Sequence, residues 1–458
     1  MKILLIGAGR VGSSVAENLV SEKNDITIVD TNKEQLAYLQ ERFDLKVIYG
    51  DGSSPDILAQ AGAEDTDLMV ACAATDAVNL VACKLAKDIF NIPRRIARVR
   101  GRYYAKHPNI LQDHFGVDST ISPEDSVTQY LQGLIAFPDA LQVVNFADGK
   151  ISVVIIKISK RSTLLDYQID KQHLNLPHGR GRILELVRDG ESLPLDRLFN
   201  LKVGDELVLS MDTTEIDKAV ARLTKANKKA RSVMIAGGGN IGAQLAMVLA
   251  QTNYNVRIIE QNRERCEQLA SILPENVLVL HGNGTDESLL VSENIDEMDT
   301  WVSTTNDDED NIMSSLLAKR LGAHKVIALI ARHAYGELME GSMIDVAVSP
   351  SQATIGALLH EVRQGAIVKG HRLRQGKSEV IEFEVIGDEK NSNVVGRTVE
   401  AIRLPSSSEI AAILRDNDII IPTSDTVIQS GDHVIVYAAN RNTMKRIEKL
   451  FQVSLMFF

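Results

Sequence analysis

The chain has 458 residues, 44% hydrophobic and 24% charged, with a formal net charge of −11. These proportions are ordinary for globular proteins, and the length sets a prior of two to four domains. The acidic balance argues against nucleic acid as a partner and against a polybasic membrane tether, and no apolar run approaches the 18 residues of a membrane span.

In chain order, the first element is an apolar strand, Lys2-Ile3-Leu4-Leu5-Ile6, running into Gly7-Ala8-Gly9-Arg10-Val11-Gly12. A helix over Gly12–Ser21 and a second strand, Ile26-Thr27-Ile28-Val29, lead to Asp30. A lone GxGxxG is weak evidence, but strand, turn, helix, strand and acid in this order is the context that confirms a dinucleotide fingerprint. The β/α alternation continues, with helices expected over Lys33–Arg42, Ala77–Ile89 and Arg102–Phe115. Strands are expected over Lys46–Tyr49, Leu68–Ala71, Ile96–Val99 and Ser119–Ile121. The third strand runs into Gly50-Asp51-Gly52, the fourth into Cys72-Ala73-Ala74-Thr75-Asp76 with Asn79, and the last into Ser122-Pro123. These turns lie at the C-terminal ends of parallel strands, where open α/β sheets bind ligands. An amphipathic helix over Val127–Phe137 connects this unit to the next region of the chain.

From about Leu141 the chain alternates apolar and polar residues, through Ile151–Ile158, Ile183–Arg188 and Gly204–Leu209, and a charged helix over Glu215–Lys229 comes next. The polar, basic stretch from Lys225 to Arg231 reads as a linker. The whole pattern then recurs. Arg231-Ser232-Val233-Met234-Ile235-Ala236 precedes Gly237-Gly238-Gly239-Asn240-Ile241-Gly242, and Val256-Arg257-Ile258-Ile259 precedes Glu260. The glycine sets are offset by 230 (237 minus 7), and so are the acids (260 minus 30). Strands are expected over Val277–Leu280, Thr300–Val302, Val326–Ile330 and Val346–Val348, with turns at Gly282-Asn283-Gly284, Thr304-Thr305-Asn306-Asp307-Asp308 and Ser349-Pro350. A second connecting helix over Ala353–Gln364 and a second alternating region, Val380–Ile386, Ile410–Arg415 and Gly431–Val436, end in a helix over Arg441–Phe451. The expected fold is α/β, two Rossmann-like doubly wound parallel sheets, each followed by a small α+β domain. The expected domains are residues 1–124, 140–224, 231–350 and 367–453.

The residue types follow from the ligand. The first glycine permits the tight turn, the second admits the diphosphate to the backbone, and the third lets the helix pack on the sheet. The helix N-terminus offers free N–H groups and its positive dipole end. Asp30 and Glu260 accept from the adenosine ribose hydroxyls and disfavour a 2′-phosphate, so NAD(H) is preferred over NADP(H). Arg10 and Arg98 are further candidates in the first copy, with Asp51 and the small residues Ala73, Ala74 and Thr75 beside the nucleotide. In the second copy Thr304 and Thr305 are candidates for hydrogen bonds to it. The more complete fingerprint makes the first site the stronger NAD(H) site. The second is expected to take an adenine nucleotide, ATP or ADP included.

Catalytic residues are thin. His107 and His114 have no duplicated partner, His281 has Tyr49 as its counterpart, and His360, His371 and His433 have no acidic partner at a suggestive spacing; the sequence holds no GxSxG, HExxH, P-loop or CxxC motif. Cys72 and Cys83, in apolar stretches, read as small core residues. Few cysteines and the absence of a signal peptide suggest a reducing cytoplasm. The acidic run Asp307-Asp308-Glu309-Asp310 could be a metal cluster, but it falls at a helix N-terminus, where the dipole alone favours acids. A soluble NAD-dependent oxidoreductase is the alternative to a nucleotide sensor, and the small domains are either packing modules or effector sites.

The duplicated fingerprint, with Asp30, Tyr49-Gly50-Asp51-Gly52, Ala73-Ala74-Thr75-Asp76 and the Arg188-Asp189…Gly204-Asp205 pattern repeated at Arg415-Asp416…Gly431-Asp432, resembles the regulator-of-potassium-conductance domains of potassium channels and transporters, in the tandem arrangement of the Trk uptake family. The match covers essentially the whole chain. The resemblance implies a peripheral assembly on the cytoplasmic side of the cell inner membrane, a homo-oligomer (dimer or tetramer). It would bind NAD(H) and adenine nucleotides such as ATP and gate a membrane-embedded potassium-translocating subunit of the Trk type. The second copy departs from the first at Asn283, where the first has Asp51, and at Leu329, near the position of Arg98. The two sites therefore need not share a ligand.

Overall fold

The computed structural model describes every residue except 22–23, 102, 105–106, 138–139, 159, 161, 163–164, 166–167, 170–180, 194, 196–198, 217, 221–230, 340–341, 352, 354–366, 375–376 and 453–458. The expected linker, most of the second connecting helix and much of the helix over 215–229 fall outside the described residues, as does the side chain of Arg10. The chain divides into two compact units, the first built on Met1–Ser126 and the second on Val127–Gly356 together with Arg363–Phe458.

The first unit is one six-stranded parallel sheet, with strands β1 (Lys2–Ile6), β2 (Asp25–Asp30), β3 (Lys46–Tyr49), β4 (Leu68–Ala71), β5 (Arg94–Arg98) and β6 (Ser119–Ile121) in the order β3-β2-β1-β4-β5-β6. β1 and β4 are buried along almost their whole length, as strands covered by helices on both faces must be. β5 begins two residues earlier than the apolar pattern suggested. Arg95 can enter it because its guanidinium is satisfied in the interior, by Asp118 at 2.7 Å and by the carbonyls of Gly116 and Ile92. The helix expected over Arg102–Phe115 is described from Pro108 to Phe115. A proline inside a helix removes a backbone N–H and clashes with the preceding turn, whereas at the first position it is tolerated. Two six-residue helices, Pro55–Gln60 and Glu287–Ser292, were not expected, being too short to display a 3.6-residue period.

Among the described residues the second unit holds three sheets of five or six strands and one two-stranded ribbon. Two of the three sheets are small and antiparallel. One has β7 (Ala140–Phe146), β8 (Ile151–Lys157), β10 (Gly181–Arg188), β11 (Glu191–Leu193) and β13 (Glu206–Asp212) in the order β11-β10-β13-β8-β7, with β9 (Gln168–Ile169) and β12 (Phe199–Asn200) paired beside it. Between the two small sheets in sequence comes a second six-stranded parallel sheet of β14 (Ser232–Ala236), β15 (Asn255–Glu260), β16 (Val277–His281), β17 (Thr300–Ser303), β18 (Lys325–Leu329) and β19 (Val346–Val348). Its order is β16-β15-β14-β17-β18-β19, the first sheet repeated. The other small sheet has β20 (Ile367–Leu373), β21 (Ser378–Glu384), β22 (Ser408–Arg415), β23 (Asp418–Ile420) and β24 (His433–Ala438) in the order β20-β21-β24-β22-β23.

The two small sheets pack on each other. Val144, Phe146, Ile151, Val153, Ile155 and Val208 of one meet Leu373, Val380, Ala412, Ile435 and Tyr437 of the other, while Val154, Ile156, Leu207 and Leu209 face the first sheet's own core. β8 is thus covered on both sides, which is why Ile151–Ile158 reads as an almost unbroken apolar run rather than a clean alternation. The repeated Arg…Gly-Asp pattern is structural. Arg188 forms a bidentate pair with buried Asp205 at 2.8 and 2.8 Å, and Arg415 with buried Asp432 at 2.7 and 2.9 Å. These carboxylates hold both guanidinium groups above the ordinary arginine pKa.

The connecting helix Pro123–Ala136 leaves the first unit and from Val127 on belongs to the second. Val127, Leu131, Leu134 and Ile135 are buried against Val302, Ile327, Leu329 and Val346 of the second parallel sheet. Lys325, buried at the start of β18, donates to the carbonyls of Leu134 (2.9 Å), Phe137 (3.3 Å) and Ala140 (2.9 Å). Leu134 lies in the last turn of the helix, where carbonyls lack a following helical N–H, and Ala140 opens β7, so the lysine ties the helix end to the strand after it.

Candidate nucleotide sites

Each parallel sheet carries the same cradle at the C-terminal ends of its strands. Gly7 and Gly237 leave the first strand with φ of +102° and +103°, a conformation L-residues avoid. A Cβ on Gly7 would lie 2.7 Å from the Ala73 nitrogen, and one on Gly237 would lie 2.9 Å from the Thr305 nitrogen. Gly12 and Gly242 are closed just as tightly, with a Cβ falling 1.9 and 2.0 Å from the Gly7 and Gly237 carbonyl oxygens. Gly9 and Gly239 are the opposite, since nothing lies within 4 Å of a Cβ built there. The two outer glycines are demanded by the fold, and the middle one opens onto free space at a helix N-terminus. A side chain there would fill that space.

Asp30 and Glu260 each end the second strand of their sheet. Asp30 accepts from Ala8 N (2.5 Å) and Asn32 N (2.7 Å), and Glu260 accepts from Gly238 N (2.8 Å) and Asn262 N (2.8 Å). Each carboxylate therefore shapes the glycine turn and retains lone pairs for further donors. In the third-strand turns, Asp51 Oδ1 accepts from Ser53 N (2.9 Å) and Oγ (2.7 Å), and Asn283 Oδ1 accepts from Thr285 N (2.9 Å) and Oγ1 (2.9 Å). The two Ser53 bonds hold the Asp51 carboxyl below its usual range. Asp and Asn thus build one turn, and they differ in the remaining atom, a carboxylate oxygen against an amide donor.

At the fourth-strand turns two buried asparagines do most of the positioning. Asn79 Oδ1 accepts from Ala73 N (2.7 Å), and its Nδ2 donates to the carbonyls of Ala73 (3.3 Å) and Arg98 (2.9 Å). Asn311 repeats this with Thr305 N (2.9 Å) and the carbonyls of Thr305 (3.2 Å) and Leu329 (2.9 Å). Neither asparagine had a role that sequence pattern alone could assign. Their recurrence at the same offset from a small-residue turn was the available signal. Thr304 and Thr305 spend their hydroxyl protons internally, Thr304 on the carbonyls of Ala236 or Gly237 and Thr305 on Asp307 O or Asn311 Oδ1. They shape the floor and can offer a ligand only lone pairs.

Arg98 donates to Glu124 Oε1 at 2.6 Å, with both side chains largely buried, and its Nε is buried without a partner. The same register places Leu329 in the second copy, and the Ser-Pro step places Ser351 where Glu124 stands. Around the second cradle a cavity of about 300 Å³ is lined by Gly237, Gly239, Glu260, Asn283, Thr304, Asp307 and their neighbours. That volume lies at the lower end of ligand-pocket sizes. The cavity gathers the candidates of this copy, except that Gly238, Asn240 and Ile241 hold the turn and helix beside it.

The acidic run has structural duties. Asp307 caps the following helix, accepting from Asp310 N at 2.9 Å. Asp308 is buried on the amides of Ala331 and Arg332, and Glu309 bonds Arg332 and Tyr335. Among the described residues no group of three His, Cys, Asp or Glu is placed to hold a metal. None of the described histidines lines the cavity around the second cradle, but His281, at the end of β16, bonds the carbonyl of the lining residue Gln261 at 3.0 Å. His433 bonds Glu382 at 2.8 Å, a partner 51 residues away that spacing could not suggest, within the small sheet. His371 is pushed down to about 4 by loss of solvent and by Lys369. Burial raises Cys72 and Cys83 to about 12, so neither is a thiolate.

The family described as the TrkA-N domain matches residues 3–123 and 233–350, the two parallel-sheet units, and the TrkA-C domain matches 387–452. The chain is 43% identical over its whole length to the Trk system potassium uptake proteins TrkA of Vibrio alginolyticus and of Haemophilus influenzae, covering all of each. The chain belongs to the TrkA family. Among solved structures, the GsuK RCK domain aligns over 98% of this chain and 94% of that one, with a TM-score of 0.62 and 18% identity. The GsuK channel bound to NAD aligns over 98% and 78%, at the same score and identity. These likenesses show the fold alone, two parallel-sheet units each followed by a small antiparallel sheet.

Proposed function

We propose that the protein is a regulatory subunit of potassium uptake. It binds NAD(H) and adenine nucleotides in its two parallel-sheet units and gates a membrane-embedded, Trk-type potassium-translocating subunit. The observation that carries this reading is the pair of open cradles at Gly9 and Gly239, each with its ribose acid, in a chain whose full-length relatives are named for Trk potassium uptake. The GsuK structures described as bound to NAD and to ADP support both ligand classes on this fold. The protein sits at the cytoplasmic side of the inner membrane as a peripheral homo-oligomer, a dimer or a tetramer; no described helix is long and apolar enough to cross a membrane. Its working domains are residues 1–124, 140–224, 231–350 and 367–453. The bound dinucleotide would supply no hydride chemistry here. It would act by binding one arrangement of the units better than another, and the shift it causes equals that difference in affinity.

An oxidoreductase would need an acid/base group beside the nicotinamide. The titratable groups lining the second cavity are Glu260, Asp307 and Asp310, and the first two already anchor backbone amides. Reconstitution tests the reading. The purified protein should co-sediment with a Trk-type membrane subunit in proteoliposomes, and potassium flux should change with NAD(H) or ATP. Flux that is identical with and without the protein under every nucleotide overturns it.

A further inference from the structure

We propose that the second site is selective for the oxidised dinucleotide, through the carboxylates of Asp307 and Asp310. This rests on the nucleotide-site reading above and goes beyond it by assigning the redox state.

A dinucleotide crosses an open α/β sheet at the point where strand order reverses, here between β14 and β17. Glu260, at the end of β15, fixes the adenosine ribose end, and the space over Gly239 takes the diphosphate. The nicotinamide half then lies beyond β17, against Thr305, Asn306, Asp307 and Asp310, all of which line the cavity. The charged groups among the described lining residues are Glu260, Asp307 and Asp310, with no lysine or arginine between them. The other acids of the run are committed, Asp308 to two backbone amides and Glu309 to Arg332 and Tyr335.

The charge is not needed for folding. In the first unit Thr75 occupies the position of Asp307 and caps its helix with a neutral hydroxyl, accepting from Val78 N at 3.4 Å, and Val78 stands where Asp310 does. A helix cap requires an acceptor oxygen, not an anion. NAD⁺ and NADH share the same adenosine and diphosphate and differ in one respect that matters here: the pyridinium ring is a cation and the dihydropyridine ring is neutral. In a solvent-open cleft, at a separation of about 6–8 Å, each carboxylate favours the cation by roughly twofold to threefold, so the pair gives about fivefold. ATP carries its extra phosphates toward the same carboxylates and is disfavoured.

The lone tryptophan makes this measurable. Trp301 is fully buried under the second cavity, where a Cβ on Gly284 would lie 3.7 Å from its Cη2 and 3.0 Å from Ala236 Cβ. NADH bound above it absorbs tryptophan emission, and NAD⁺ does not. In the full-length Gly9→Val variant, which leaves the second cradle intact, NADH should quench Trp301. Competition should show NAD⁺ binding about fivefold tighter than NADH, and ATP, with or without Mg²⁺, weaker than both. Asp307→Asn/Asp310→Asn keeps the cap oxygen and should bring the NAD⁺-to-NADH ratio close to one. Quenching by NADH with equal or weaker binding of NAD⁺, tighter binding of ATP, or a ratio unmoved in the double variant overturns the selectivity and leaves the site standing. If NADH fails to quench and calorimetry detects neither dinucleotide, the site assignment and the selectivity fall together.

Discussion

In the first nucleotide unit Arg98 reaches Glu124 at 2.6 Å; at the corresponding places in the second stand Leu329, buried in the core, and Ser351. Thr75 caps one helix and Asp307 the other, and Asp51 turns one loop while Asn283 turns its twin. Against these differences, the positions that shape the backbone are constant: Gly7 and Gly237, Gly12 and Gly242, Asn79 and Asn311. What the fold requires is the same in both copies. What varies is charge around a common cradle: an ion pair is lost from the second copy, and two carboxylates, Asp307 and Asp310, are gained on its cavity. A largely buried arginine and its glutamate are replaced together, and keeping either alone would break the shorter ion pair of that cluster.

The sharpest way to break the comparison is at the middle glycine. Gly9→Val and Gly239→Val should each fold, since nothing lies within 4 Å of the added Cβ, and each should abolish binding in its own unit, by roughly 100-fold or more, because the side chain occupies the diphosphate's place. Calorimetry should count one site per chain in either variant and none in the double variant. Two sites surviving in a single variant would mean that the cradle is not where the phosphate sits.

The Arg98–Glu124 pair offers a smaller effect. Arg98→Leu alone leaves largely buried Glu124 with only the longer Arg100 pair, at 3.9 Å, and should cost about 1–2 kcal/mol of stability in urea unfolding. Adding Glu124→Ser, the residue of the second unit, should recover part of that loss. Strictly additive losses would show that the two residues are not exchanged as a pair.

The smallest effect is expected at Asp51. Asn283 demonstrates that an amide oxygen supports the same turn, so Asp51→Asn should change stability at neutral pH by no more than about 0.5 kcal/mol. The acid limb should change more visibly. The Asp51 carboxyl is held below its usual range by Ser53, so its contribution is present above the ordinary aspartate pKa and is lost as pH falls through the lower, folded value. The Asn variant should lack that part of the acid loss, and superimposable pH–stability curves would refute it.

The sequence alone carried the tandem architecture, the glycine turns and the acids that end the second strands. These depend on local rules: a strand, a turn whose conformation only glycine accepts, a helix start, and an acid at the end of the next strand. A chain that repeats them at an offset of 230 states its fold twice. Candidates such as Thr304 and Thr305 were found by position, yet whether their hydroxyls face a ligand or the backbone depends on which carbonyls the neighbouring strand brings near. Tertiary structure decided everything set by long-range packing. It placed the helix Pro123–Ala136, read as a simple connector, on the second parallel sheet under the clamp of Lys325, and it stacked the two small sheets so that β8 is buried on both faces. It also paired His433 with Glu382 and Arg98 with Glu124. Such contacts join residues far apart in the chain, and no periodicity or spacing encodes them, because apolar burial is non-directional and the partner of a buried charge is fixed only when the surrounding core closes.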